Sequence, residues 1–261
     1  MDTRFLLAGS RRSRSGKVEI FSRANGRWRP FQTLDARDLG LETVGFGSSV
    51  AIFNDLMVVG SDDFLGAREG ADGAAYVFEF TGETWQQVQR LEAGENSYRF
   101  GTGVAVSSDK IVVASGIRDG EPNIGKLYVY RKNGPQWSLS ESFKHSTGRP
   151  LYGNQKYMDL SEQWMIAGYI DQNGVSKTQF YEDVEGSFVE RQRFNSLGFQ
   201  RSIHGSRAVE GNQGLQRVRV YELVDGVWNA DQEFSANELD VDSFAIALDV
   251  YEDVVAVGAF Y

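Results

Sequence analysis

The chain has 261 residues, 27 basic against 36 acidic, a net charge of −9 and no cysteine, which excludes disulfides, zinc–thiolate sites and cysteine nucleophiles. With only His145 and His204 a multi-histidine metal cage is excluded as well. The acidic balance argues against nonspecific nucleic-acid binding, while 41% hydrophobic and 24% charged residues is the composition of a chain that packs a core.

No apolar run approaches the ~20 residues of a membrane helix. Met1 to Leu7 holds only a short apolar stretch before Arg11-Arg12, so no signal peptide is expected in these residues. Twenty-nine glycines against four prolines predict many tight turns.

The first segments, Phe5–Ser10, Val18–Phe21 and Trp28–Leu34, read as three short strands, with the basic run Arg11-Arg12-Ser13-Arg14 between the first two. The next unit, 46–91, is fuller. Phe46-Gly47-Ser48-Ser49-Val50-Ala51-Ile52 leads to Val58-Val59-Gly60-Ser61, then Tyr76-Val77-Phe78-Glu79-Phe80, then Trp85 to Leu91. These are four strands, A to D, each β-branched or aromatic and bounded by glycine, asparagine or aspartate. The acidic stretch Asp62, Asp63, Glu69 and Asp72 separates B from C.

Unit 100–143 repeats the plan with Phe100-Gly101, Val112-Val113-Ala114-Ser115, Tyr130 and Trp137, and carries Arg118-Asp119-Gly120-Glu121 between B and C. Units 152–194 and 199–234 are worn: Tyr152-Gly153 leads to Met165-Ile166-Ala167-Gly168, and Phe199 to Ala208-Val209-Glu210-Gly211. The last, 244–261, supplies A and B alone, Phe244–Val250 and Val255-Ala256-Val257-Gly258. One ungapped frame joins the units. Phe21, Phe78, Tyr130, Tyr181 and Tyr221 each precede Trp28, Trp85, Trp137, Phe188 or Trp228 by seven residues, and only Trp164 among the tryptophans falls outside it.

Four-stranded units repeating every 40–57 residues predict an all-β fold, a β-propeller of antiparallel four-stranded blades in a single domain over 1–261. One blade cannot bury both faces, whereas stacked neighbours can. The repeat-frame tryptophans are expected to wedge between blades. About five blades are visible. Either the termini share a composite fifth blade, or the chain is a piece of a larger ring. Residues 1–37 carry a balance of +6 and 231–261 one of −8. Opposite charge would register a shared blade, although solvated pairs contribute only ~0–1 kcal/mol each.

The pattern Phe-Gly-x-Ser-Val-Ala-Ile, Val-Val-Gly-Ser, Gly-Ala-Ala-Tyr-Val-Phe, Trp resembles the FG-GAP repeat proteins, relatives of the integrin α-subunit propeller. The resemblance is strong over 46–91 and 100–143, fair over 1–34 and 244–261, and weak over 152–234. It implies a propeller, frequently extracellular or on the cell surface, used in adhesion or recognition of a protein or glycan. It does not imply an enzyme. Integrin A–B loops hold calcium through aspartates spaced two apart. Here the connections are only Phe53-Asn54-Asp55, Ser107-Ser108-Asp109, Ser161-Glu162-Gln163 and Tyr251-Glu252-Asp253, too short to supply six to eight oxygens. No calcium and no other cofactor is expected.

In such a fold the B–C and D–A connections share one end of the sheets, and the B–C segments vary most. Candidate ligand contacts are therefore Arg11, Arg12 and Arg14, suited to sulfate or carboxylate groups, the acidic Asp62, Asp63, Glu69 and Asp72, and the mixed Arg118 and Asp119. The plainer reading of each is a solvated turn, and the acidic spacing matches no EF-hand-like template. Neither histidine stands in a recognisable catalytic motif. Three functions remain open: a recognition or adhesion module, a carbohydrate-active propeller enzyme, and a structural repeat without a ligand.

Overall fold

The structure is a computed structural model that describes residues 4–10, 16–41, 43–62, 73–93, 97–116, 125–144, 158–170, 175–198, 200–236 and 243–260. None of these residues is in an α-helix. They form two compact units, Met1–His145 and Ser146–Tyr261.

Unit 1 holds three antiparallel sheets. The first is β1 (Phe5–Ser10), β2 (Lys17–Ala24) and β3 (Arg27–Asp35). The second is β4 (Phe46–Phe53), β5 (Leu56–Ser61), β6 (Ala74–Phe80) and β7 (Trp85–Leu91). The third is β8 (Gly103–Val106), β9 (Lys110–Ala114), β10 (Lys126–Asn133) and β11 (Gln136–Lys144). Each strand pairs with its sequence neighbour, so the A-B-C-D order is also the order across the sheet.

Burial follows that order. Every residue of β5 and β9 is buried, whereas most of β7 is exposed. Strand B is covered on both faces by adjoining sheets, which is why it reads as an unbroken apolar run. Alternate residues serve opposite interfaces, as period-2 geometry requires. Met57 and Val59 pack with Phe46, Tyr76, Phe78 and the first sheet. Leu56 and Val58 pack with Phe100, Val104, Tyr128 and the third. Each such side chain contributes about 1.5–3 kcal/mol.

Unit 2 continues the plan with β12 (Met158–Leu160), β13 (Trp164–Ile170), β14 (Ser176–Val184) and β15 (Ser187–Asn195), then β16 (Gln200–His204), β17 (Arg207–Asn212), β18 (Arg217–Val224) and β19 (Val227–Ser235). A two-stranded sheet follows, β20 (Ser243–Tyr251) and β21 (Val254–Phe260). The described chain thus has six sheets where about five blades were expected. β1–β3 and β20–β21 pair as separate sheets.

The repeat frame has a geometric meaning. In every sheet that has strands C and D, the register slips by one residue at the anchor aromatic: Ile20/Phe21, Val77/Phe78, Val129/Tyr130, Phe180/Tyr181 and Val220/Tyr221. Each slip is a β-bulge, and the extra residue lies three positions after the first aromatic of strand D, as Phe31 and Val88 do.

The tryptophans wedge between sheets as expected where a preceding sheet exists. Trp85 is buried against Phe5, and Trp228 stacks on Phe180 at 4.5 Å. Trp28 differs: it is 43% exposed, because no sheet precedes β1–β3 within unit 1, and Arg23 lies 6.0 Å from its ring centre. Trp164, outside the frame, opens β13 and meets Trp228 edge-on at 5.6 Å.

The worn units have a physical explanation. Opposite one another in β16 and β17, Arg201 and Glu210 are fully buried where the stronger repeats carry small residues such as Ser49 and Gly60. Arg201 donates to Thr178 Oγ1 (2.9 Å), Ser196 Oγ (2.8 Å) and the Gly198 carbonyl (2.7 Å). Glu210 accepts from Thr178 Oγ1 (2.6 Å), Tyr221 (2.8 Å), Ser196 Oγ (2.8 Å), and the Leu197 and Gly198 amides. A satisfied polar network has replaced the tight small-residue contact.

Candidate functional site: the B–C and D–A end of unit 1

The Phe-Gly pair explains how this end is built. Gly101 has φ +89°, and a Cβ there would strike the Ala74 carbonyl and the Ser61 amide, the ends of strands C and B of the preceding sheet. Gly60 in turn faces the Gly101 carbonyl. Backbone lies on backbone, and only glycine permits that approach. Gly47, against Ser10 and Lys17, repeats the contact one sheet earlier.

Segments 63–72 and 117–124 consequently start from one platform, residues 97–101. Asp62, at the end of β5, accepts a hydrogen bond from Arg99 at 2.7 Å in a buried ion pair; Asp62 is 1% exposed. Gly73, where the chain returns, bridges to Phe100. The Gly116 amide donates to the Tyr98 carbonyl at 2.7 Å, and the Ser115 amide to the Lys126 carbonyl at 2.9 Å. Both ends of each segment are therefore fastened. Arg99 itself is held at φ +56°. In the first sheet Ser10 and Gly16, which flank residues 11–15, lie against Gly47 and Phe46.

Of the expected contact residues only Asp62 is described, and it supports the platform from within, paired to Arg99. Arg11, Arg12, Arg14, Asp63, Glu69, Asp72, Arg118 and Asp119 lie outside the described residues. Sequence reasoning missed Arg99. Its signal is a cation directly before Phe100-Gly101, a position the repeat pattern ignores.

At the opposite end the short A–B turns appear at the expected places. Three of their carboxylates are engaged by cations: Asp55 by Arg4 at 3.0 Å, Asp109 by Lys110 at 2.6 Å, and Asp253 by Arg207 at 3.0 Å. No group of three or more potential metal ligands stands together among the described residues. His204 accepts the Glu252 amide at 3.2 Å through Nδ1 and packs on Tyr251. Along the A strands of unit 2, Ser202 Oγ lies 2.8 Å from Asp159 and 2.7 Å from Asp249, and the Ile203 amide donates to Asp159 at 3.0 Å. A serine hydroxyl has one proton and donates to one of these carboxylates at a time, so Ser202 links β16 to β12 or to β20 in turn.

Residues 28–78, from Trp28 in β3 to Phe78 in β6, match the family model of the FG-GAP repeat. The chain is a β-propeller with an FG-GAP repeat over residues 28–78. The matched stretch runs D-A-B-C and so crosses from one sheet into the next, taking in the Phe46-Gly47 contact that joins them. No curated protein matches the chain. Among solved structures it is similar to a candidate 6-phosphogluconolactonase from Bacteroides uniformis ATCC 8492, with 11% identity and a TM-score of 0.62 over 94% of this chain and 71% of that one. A second candidate 6-phosphogluconolactonase, from Bacteroides fragilis NCTC 9343, gives 11% identity, a TM-score of 0.61 and the same coverage. At this identity the likeness shows the propeller fold and nothing of this chain's chemistry.

Proposed function

We propose that this FG-GAP propeller is a non-catalytic recognition or adhesion module that binds a protein or glycan through its B–C and D–A segments. The observation that carries the reading is the platform at residues 97–101. It fastens the flanks of two neighbouring B–C segments, and these contain the charged residues best suited to a polar ligand: Asp63, Glu69, Asp72, Arg118 and Asp119. A rigid base under variable connections is the arrangement in which propellers and other scaffolds place binding residues. An extracellular or cell-surface setting follows from the same reading.

The test replaces residues 63–72 and 117–124, separately, with glycine–serine segments of equal length in the full chain. Parent and variants are then applied to glycan arrays and to a panel of receptor ectodomains. Saturable binding by the parent, lost in at least one variant that keeps the parent's thermal transition, is the expected result. Binding that survives both replacements would place recognition elsewhere. Hydrolysis of 6-phosphogluconolactone above the spontaneous rate would replace this reading with an enzymatic one.

A further inference from the structure

Neighbouring sheets of unit 1 also meet at their A–B and C–D turn end, and they do so twice at equivalent positions. The two meetings are filled differently. In the first, Phe5 opens strand B, Phe31 is the bulge residue of strand D, and Phe80 and Trp85 come from the next sheet. Phe5 stands 5.4, 5.0 and 5.3 Å from Phe31, Phe80 and Trp85, ring centre to ring centre, edge to face with each. Phe31 and Phe80 close the cluster at 6.0 Å.

In the second meeting the same four positions are Leu56, Val88, Lys132 and Trp137. The tryptophan remains, and the three phenyl rings are gone. A groove of about 340 Å³ lies here, with Phe53, Leu56, Phe80 and Trp137 on its apolar side and Asn54, Asp55, Glu79, Ser108 and Lys132 on its polar side. Lys132 pairs with Glu79 across the two sheets at 3.2 Å and stands 5.7 Å from the Trp137 ring centre. Both partners of that pair are close to half exposed, so the ammonium is held loosely and can move aside.

We propose that this groove receives an aromatic side chain of a protein partner, which takes the place that phenyl rings fill in the neighbouring junction. The volume exceeds that of one ring and so admits a ring together with the main chain that carries it, and Phe53 and Phe80 are the partly exposed rings it would meet edge to face. Asn54 and Ser108 supply hydrogen-bonding groups for the main chain that carries the ring. The site lies at the opposite end of the sheets from the B–C segments and stands independently of the function proposed above.

The probe is N-acetyl-L-tyrosinamide, titrated into the 15N-labelled full chain. The Trp137 indole N–H is followed by NMR and assigned by its loss in Trp137→Phe. A saturable shift is expected, with N-acetyl-L-leucinamide binding at least about fivefold more weakly, as a site shaped for a ring requires. Lys132→Phe restores one missing ring and should abolish the shift while keeping the parent's thermal transition. Leu56→Phe serves the same purpose should Lys132→Phe fold poorly. Equal affinity for the leucine amide, a shift that never saturates, or undiminished binding in a folded filled-groove variant would overturn the proposal. So would a Trp137 signal that moves with protein concentration alone, which would assign the groove to a second copy of the chain.

Discussion

The carboxamide of Gln89 in β7 grips the main chain of Trp137 in β11 on both sides: Nε2 donates to the Trp137 carbonyl at 2.7 Å, and Oε1 accepts the Trp137 N–H at 2.8 Å. A primary amide carries the same donor and acceptor as a peptide group, so one side chain does the work of an adjoining strand. Gln32 holds Trp85 in this way, and Gln192 holds Trp228. Each glutamine lies four residues after the first aromatic of its own D strand, Trp28, Trp85 or Phe188. Gln89→Glu keeps the size but turns the donor into an acceptor facing a carbonyl. Urea denaturation at pH 7 should show a loss of about 2–3 kcal/mol for Gln89→Glu and about 1–2 kcal/mol for Gln89→Ala. A smaller loss for Gln89→Glu than for Gln89→Ala would mean that the acceptor facing the Trp137 carbonyl carries no penalty.

The Phe-Gly contact gives a matched pair of substitutions. Gly101→Ala places a methyl against the Ala74 carbonyl at φ +89° and should cost about 2–4 kcal/mol. Phe244-Ala245 occupies the equivalent place in β20, with alanine already at φ +63° and buried. Ala245→Gly relieves roughly 1 kcal/mol of backbone strain and forfeits about 0.8 kcal/mol of methyl burial. Chemical denaturation should place it within about 1 kcal/mol of the parent.

Arg201 and Gly168 should be energetically coupled. A Cβ at Gly168 would run into the Arg201 guanidinium, so Gly168→Ala alone displaces a buried charge from its partners. Burial pulls the Arg201 guanidinium below its usual range, with Glu210 opposing that shift. Arg201→Met leaves the Glu210 carboxylate buried without its cation and should cost about 3–5 kcal/mol. In that background Gly168→Ala should cost at least about 1 kcal/mol less than in the parent, as a double-mutant cycle would measure. Additive costs would mean that the two residues do not touch.

Alkaline pH should unfold the chain through its buried tyrosines. Burial raises the phenol of Tyr130, and burial together with Glu210 raises that of Tyr221. A folded pKa above the unfolded value gives stability that is complete below the unfolded value, near 10, and is lost as the pH climbs above it. Stability should therefore fall from about pH 10 upward. Absorbance at about 295 nm should show these phenols ionising only as the fold is lost. Early, reversible ionisation of every tyrosine in the folded chain would contradict this.

Asp62 and Trp28 mark where sequence reading stops. The repeat frame found strands A to D, their order and the short A–B turns, because anchors at fixed spacing and period-2 patterning are local properties. It placed Asp62 among surface ligand candidates, since a carboxylate after Val-Val-Gly-Ser carries no sign of the arginine 37 residues later that buries it. It treated all frame tryptophans alike, yet within unit 1 no sheet precedes Trp28 as β1–β3 precedes Trp85.

Repeat composition determined by itself that this chain is all-β and that its fuller units, 46–91 and 100–143, are four strands opened by Phe-Gly. Tertiary structure alone decided which charges are buried, which glutamine grips which tryptophan, and why one junction is packed with phenyl rings while the next holds a groove. Strand formation depends on residues a few positions apart. Those outcomes depend on side chains from different sheets, 37 to 53 residues apart in the pairs Asp62–Arg99 and Gln32–Trp85, whose meeting only the folded chain sets.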